Sequence, residues 1–213
     1  MILRSLDLII SSLLIITFFP LLLLLSLIIF FQDFNNPIFS SIRIGKNKKK
    51  FKLYKLRTMR INSEGTKVRT TRISDPRITY FGKWIRRYKL DELTQLWNVI
   101  INDMSIVGPR PNVEEEIKFY KDSELKLFDY KPGITDYASI WFINLENRMG
   151  PDNNKDVNKE YLVKIKPLKN FLAMKTINNL GIYKYLYVCV LTAIALFHLK
   201  FAKKLIIKNT RSK

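Results

Sequence analysis

LIISSLLIITFFPLLLLLSLIIFF, Leu8 to Phe31, is the stretch that decides the architecture. It holds 24 residues without a formal charge, with Asp7 before it and Asp33 close behind. As a straight helix it would reach ~36 Å, enough for a bilayer core of ~30 Å. A cleaved signal peptide would have a shorter apolar core and a small-x-small cleavage site. This run leads instead into QDFNNPIFSS, with no alanine or glycine there, so the stretch predicts a retained membrane anchor. Pro20 sits at its middle, where a missing N–H and a clash with the preceding turn kink or break a helix. Two outcomes stay open on the residues alone. A kinked helix could still cross, and a broken one could turn back and leave by the face it entered. The residues after Asp33 are rich in Lys and Arg, and the positive-inside rule keeps them in the cytoplasm.

The 213 residues suffice for one domain with a real core plus a short appendage. Lys and Arg number 37 against 18 Asp and Glu, a formal net charge of +19. That excess predicts attraction to polyanions: nucleic acid, an anionic membrane surface or a phosphorylated substrate. One cysteine, Cys189, excludes an intramolecular disulfide framework. With one histidine, His198, it cannot build an ordinary zinc site. A metal here would be a hard cation on oxygen ligands, magnesium rather than zinc.

Residues 38–59 read as a β-hairpin about the polar turn GKNKKK, Gly45 to Lys50. In an extended FKLYKLRTM arm, Lys55 and Arg57 point to the same side. Residues 60–76 are polar and loop-like. ITYFGKWIRRYK then leads into a helix whose Leu90, Leu93, Leu96, Trp97, Ile100 and Ile101 form an apolar stripe. SIVGPRP stops it. A charged helix is expected over 112–128, a turn at KPGITDY and a solvated loop at NRMGPDNNKDVNKE. The C-terminal third carries two helical patterns. The second contains YLYVCVLTAIALFHL, Tyr185 to Leu199, which is short for a span and reads as a buried or interfacial helix. Cys189 and His198 lie in it, and core packing or membrane contact accounts for both better than catalysis.

RRYKLDELTQLW, Arg86 to Trp97, sets Asp91 beside Glu92. Alone, such a pair is the ordinary acidic opening of a helix, facing the positive end of its dipole. Neighbouring helical residues diverge by ~100°, so the two carboxylates would not share a proton as an aspartic dyad does. They could take different roles around one phosphate. Asp91, Gln95 and Asn98 fall on one polar face opposite the leucines. Arg86, Arg87 and Lys89 precede the pair, and Arg110 stands between two prolines in GPRP. A guanidinium on a rigid loop can grip phosphate with two parallel hydrogen bonds. Taken singly, GPRP is a helix-ending turn, and Lys55 with Arg57 is a charged sheet edge.

In order and spacing, KLDELTQLWNVIINDMSIVGPRP resembles the core signature of the bacterial sugar transferases, the monotopic polyprenyl-phosphate phosphoglycosyl transferases. RIGKNKKKFKLYKLRTM, DPRITYFGKWIRR and KPGIT extend the resemblance over about residues 18–135. It implies an α+β, mostly helical fold. Residues 1–34 would be a re-entrant helix-break-helix anchor, and 35–213 a compact cytoplasmic catalytic domain with a small β-hairpin and membrane-surface helices. It implies transfer of a sugar phosphate from a nucleotide diphosphate sugar, a UDP-sugar by preference, to polyprenyl (undecaprenyl) phosphate at the inner membrane. That is the first membrane-bound step of a surface glycan. Asp91 would be the nucleophile, and Glu92 would bind Mg2+ with it or activate the acceptor. Arg110 and Arg86 would hold phosphate, with Lys55 and Arg57 close by. Inner-membrane lipids are implied partners, with homo-oligomerisation or glycan-assembly enzymes possible and nucleic acid not. Two departures stand out: Phe19-Pro20 replaces a Ser-Pro pair, and DYASIWF follows PGIT where members often continue with Gly, an aromatic, Ala and Gln. The rival class is a non-catalytic, membrane-tethered basic scaffold or a binder of nucleic acid or acidic partners.

Overall fold

The computed structural model describes residues 2–61, 75–143 and 161–211. Of the polar stretches expected as loops, residues 62–74 of the 60–76 segment and all of 147–160 lie outside them. The apolar N-terminal run forms one helix, α1 (Ile2–Asp33), with Pro20 inside it. Among the described residues it alone is long and apolar enough to cross a bilayer. Ile9, Leu13, Ile16, Phe19, Leu23, Leu24 and Leu27 are exposed. Both halves of α1 rest on the rest of the protein. Near its start Asp7 and Ser11 are buried, and Leu3, Leu6 and Ile10 join the main core. Near its end Leu25 and Ile29 are buried in a second cluster with Leu56 and Ile85.

The hairpin forms as expected in kind: β1 (Ile38–Ile44) pairs antiparallel with β2 (Lys50–Leu56), in register from Ile38 with Leu56 to Ile44 with Lys50. Its turn uses left-handed Asn47 and Lys48, at φ 54° and 59°. The second arm ends at Leu56, short of Met59. Next comes α2 (Tyr80–Arg87), capped by Thr79, whose Oγ1 accepts from the Gly82 N–H at 2.9 Å. It buries Ile85 and exposes Tyr80, Phe81 and Trp84.

The helix expected from Leu90 is divided. Lys89 turns left-handed at φ 57°, Leu90–Glu92 make one 3₁₀ turn, and α3 runs only over Gln95–Ile100. Its expected stripe is divided as well. Leu96 and Val99 are buried while Trp97 and Ile101 face outward. The face expected to be polar is in fact internal, with Asp91, Gln95 and Asn98 all buried. Arg4 of α1 closes the far end, donating to the Val99 and Ile100 carbonyls at 2.7 and 2.9 Å, as basic side chains do at helix C-termini.

SIVGPRP and KPGITDY, read above as a stop and a turn, also carry strands. β3 (Ser105–Val107) pairs in parallel with β4 (Gly133–Thr135). Gly108 and Gly133 let the two backbones touch. A Cβ on Gly133 would lie 2.1 Å from the Gly108 nitrogen. The charged helix expected over 112–128 is two 3₁₀ segments, Glu114–Phe119 and Asp122–Asp129, parted by extended Tyr120 and Lys121. Glu124 fixes that break by accepting the Lys121 N–H at 3.0 Å.

After α4 (Tyr137–Trp141), the described residues of the C-terminal third hold a π-helical turn (Tyr161–Ile165) and three α-helices rather than two patterns: α5 (Lys166–Ile177), α6 (Ile182–Phe197) and α7 (Leu199–Arg211). His198 marks the break between the last two. On α6, Tyr185, Val188, Leu191 and Ala195 recur at helical spacing and are buried, whereas Tyr183, Val190, Leu196 and Phe197 are exposed. The main core gathers Leu53, Leu96, Val99, Met104, Ile106, Tyr137, Ile140, Val188 and Ile206, so hairpin, α3, β3 and the C-terminal helices enclose one interior.

Candidate active site

Two side chains of the α3 region fasten it to β2. Asn98 accepts the Tyr54 N–H at 3.1 Å and donates to the Lys52 carbonyl at 2.7 Å. Thr94 Oγ1 donates to the Tyr54 carbonyl at 3.0 Å. That latch holds the 3₁₀ turn carrying Asp91 and Glu92 beside Lys55, the next residue of the strand. Lys55 Nζ lies 2.9 Å from Glu92 Oε1 and 3.8 Å from Asp91 Oδ2. From the other side, the GPRP loop delivers Arg110. Its Nη1 donates to Glu92 Oε2 at 3.2 Å, and its Nη2 donates to Glu92 Oε1.

The two acids are therefore in different electrostatic states. Burial alone would raise Glu92, yet the Arg110 and Lys55 charges and their hydrogen bonds prevail and hold it well below the usual carboxylate range. Glu92 in turn keeps Arg110 firmly protonated. Asp91 is raised, because burial outweighs the opposing pull of Lys55 and the Glu92 charge adds to it. Asp91 Oδ1 is buried without a hydrogen-bond partner, and so is Gln95 Nε2. A buried carboxylate oxygen left unpaired is a binding capacity held open, at a cost to the fold.

Among the described residues, no cluster of three or more His, Cys, Asp or Glu could hold a metal. The acid pair nevertheless suits a magnesium-type ion, which takes one or two carboxylates and completes its shell with waters and substrate phosphate. Asp91 Oδ1 is the oxygen available for it, since both Glu92 oxygens are engaged.

Of the residues singled out in the sequence, the structure brings Asp91, Glu92, Lys55 and Arg110 together. Arg86, in the last turn of α2, is near enough for its charge to act on Asp91. Arg57 is elsewhere. It does not share a side with Lys55, because β2 ends at Leu56 and Arg57 turns to the end of α1. There it pairs with Asp33 through contacts of 2.5 and 2.6 Å and donates to the Asn36 carbonyl. Sequence reasoning missed a second group. Arg110 also lines a cavity, partly open to solvent, with Lys166, Lys169, Asp136 and Tyr161 among its walls. The only signal for it was the unusual DYAS after PGIT. Sequence reasoning also missed Asp7, whose Oδ1 accepts from Ser105 Oγ, the Ile106 N–H and Tyr185 OH at 2.8, 2.8 and 2.7 Å.

The family described as Bacterial sugar transferase matches residues 1–180. Exopolysaccharide production protein ExoY of Rhizobium meliloti (strain 1021) is 36% identical over 159 residues, 68% of this chain and 69% of that protein. A putative undecaprenyl-phosphate N-acetylgalactosaminyl 1-phosphate transferase of Bacillus subtilis (strain 168) is 44% identical over 92 residues, 43% of this chain and 51% of that protein. A UDP-N-acetylgalactosamine-undecaprenyl-phosphate N-acetylgalactosaminephosphotransferase of Aeromonas hydrophila is 34% identical over 141 residues, 64% of this chain but 33% of that longer protein.

Proposed function

The chain belongs to the bacterial sugar transferase family, and from that premise we propose that it moves a sugar 1-phosphate from a nucleotide diphosphate sugar to undecaprenyl phosphate, opening the synthesis of a surface glycan. The observation that carries this reading is the buried Asp91, with one oxygen unpartnered, set among Lys55, Glu92 and Arg110. The name of the Aeromonas relative favours a UDP-sugar as donor.

Asp91 attacks the phosphorus that bears the sugar. A P–O bond forms to its carboxylate, and the bond to the nucleoside monophosphate breaks, releasing it. An oxygen of the lipid phosphate then attacks the same phosphorus and returns Asp91 as a carboxylate. Splitting one displacement into two is what a carboxylate nucleophile offers. Such transfers depend above all on positioning and charge neutralisation. Lys55 lies nearest the nucleophile and opposes its desolvation. Arg110, on its rigid loop, suits the transferring phosphate, with Arg86 adding charge. Arg57 has a different use, binding the end of α1 to the hairpin. Asp91 Oδ1 would hold Mg2+, joined by Glu92 once substrate phosphate takes Arg110 from it, and the ion when bound would neutralise the phosphate oxygens.

α1 runs through Pro20 without the expected break, so a re-entrant course rests on a bend at that proline that lets both ends of α1 meet the same body. That would put the site at the cytoplasmic face, level with the lipid headgroups. The exposed aromatics of α2 suit that interface.

The test uses the full chain in nanodiscs with magnesium, undecaprenyl phosphate and a panel of nucleotide sugars, following nucleoside monophosphate release. Turnover is expected, and it should vanish in Asp91→Asn and on chelation. Activity retained by Asp91→Asn would remove Asp91 as nucleophile. Absence of turnover with every donor would favour a non-catalytic scaffold.

A further inference from the structure

The cavity beside Arg110 is built from segments far apart in sequence, and neither Asp91 nor Glu92 lines it. Most of its polar groups are matched. Lys166 Nζ pairs with Glu116 Oε2 at 2.6 Å, and Asn170 donates to Glu124 Oε2 at 3.0 Å. Asp136 is fully buried, and its Oδ1 caps α4 by accepting the Ser139 N–H at 2.6 Å. Asp136 Oδ2 and Ser139 Oγ are both buried; the Ser139 hydroxyl lies close enough to act on the Asp136 carboxyl, and neither atom has a hydrogen-bond partner beyond that pair. Lys169 lines the same cavity, and its ammonium reaches Tyr161 OH at 3.2 Å and lies over the Tyr161 ring. Burial, and then the neighbouring Arg110, push Lys169 down to about 8.

Buried polar atoms without partners are rare and call for a ligand or ordered water. The chemistry available narrows the choice. A carboxylate repels phosphate, so the Asp136 end does not suit the diphosphate, which belongs with Arg110. Sugar hydroxyls suit it well, since each donates to a carboxylate and accepts from an ammonium or amide. Tyr120, Tyr161, Ala138 and Ala173 supply surface for the C–H faces of a ring.

We propose that this cavity receives the hexose of the donor, with Asp136 Oδ2 and Ser139 Oγ reading its hydroxyls and Lys169 lining the same cavity. The inference rests on the transferase reading and deepens it, because it names what selects the sugar. It also gives the DYAS departure a purpose: Asp136 and Ser139 are two of its four residues. A donor whose sugar carries its own carboxylate would meet Asp136 and be rejected.

The test is calorimetric titration of the full chain in nanodiscs with a panel of nucleoside diphosphate hexoses and with the matching sugar-free nucleoside diphosphates. Asp136→Asn keeps the Oδ1 cap and should fold, which its thermal midpoint checks. In that variant the Kd for the preferred nucleotide sugar should rise about 10- to 100-fold, the worth of a hydrogen bond to a charged group. The Kd for the nucleoside diphosphate should not move. Ser139→Ala should alter the ranking of epimeric hexoses and provides the same comparison if Asp136→Asn does not fold. Equal weakening of both ligands would make this a nucleotide site and overturn the inference. Unchanged binding of both by the two variants would overturn it too, while leaving the transferase reading intact. A wild type that binds none of these donors would overturn the transferase reading, and this inference with it.

Discussion

Replacing Asp7 by alanine should loosen the whole protein, although Asp7 lies on the anchor helix and far in sequence from the candidate active site. Three donors converge on its Oδ1. Ser105 Oγ is only partly buried and can turn to water. The Ile106 N–H and the Tyr185 hydroxyl are buried and cannot. Each stranded donor costs about 1–3 kcal/mol, so the change should cost about 2–6 kcal/mol. In a chain of this size each kcal/mol lowers the melting midpoint by ~2–4 °C, which gives a fall of roughly 4–24 °C. The assay is thermal unfolding in detergent followed by tryptophan fluorescence, run as a double-mutant cycle with Tyr185→Phe. Once Asp7 is gone the Tyr185 hydroxyl has nothing left to lose, so the second change should add little. Asp7→Asn, which keeps an acceptor, should lose less. Additive costs in the cycle, or an Asp7→Ala midpoint within 1 °C of wild type, would refute the reasoning.

Acid should silence the enzyme at a higher pH than an exposed aspartate would allow, because burial raises Asp91 and attack requires its ionised form. Lys55→Met removes the charge that opposes this and should move the acid limb of the kcat/KM profile to higher pH. In stability the acids act oppositely. Asp91, raised in the fold, adds stability at low pH that is lost as pH rises through its folded value. Asp91→Asn should therefore melt higher than wild type at pH 7.5. Glu92, held low, adds stability above its unfolded value of 4.5 that is lost as pH falls through its folded one, so Glu92→Gln should show less acid destabilisation than wild type. Gly133→Ala should cost about 1–3 kcal/mol and lower kcat, because its Cβ would push Gly108, two residues before Arg110. In a Cys189→Ser background, a cysteine at exposed Ser5 should react with impermeant reagent only from the cytoplasmic side. Periplasmic labelling would mean that α1 spans.

Local chemistry was the part of the molecule that could be read in advance. The hairpin announced itself through Gly45 and the β-branched arms, and the anchor through 24 uncharged residues. The acid pair, Lys55 and Arg110 were legible because each stands in a distinctive short motif. The break at Lys89 was not, since a lysine in the left-handed region leaves no compositional trace. The break at Tyr120 and Lys121 was equally silent, with neither Gly nor Pro to mark it. Arg57 misled because alternation along a strand holds only while the strand lasts, and β2 stops one residue earlier. Asp7 and the cavity were invisible for another reason. Their contacts join residues 98 or 178 positions apart, or join α5 to the GPRP loop, and no local period encodes such pairings.

Glu92 has its two oxygens occupied by Lys55 and Arg110. The resting site is therefore no bare cationic hole: it carries its own counter-anion, wired to the backbone. A donor phosphate that claims Arg110 must trade places with that carboxylate, so binding there is anion exchange rather than neutralisation. Exchange leaves the local charge nearly constant. Added salt should thus weaken the first encounter, driven by the +19 surface, much more than the final grip on the phosphate. Glu92 would also act as a filter, since an anion too weak to displace a carboxylate from a guanidinium never reaches Asp91.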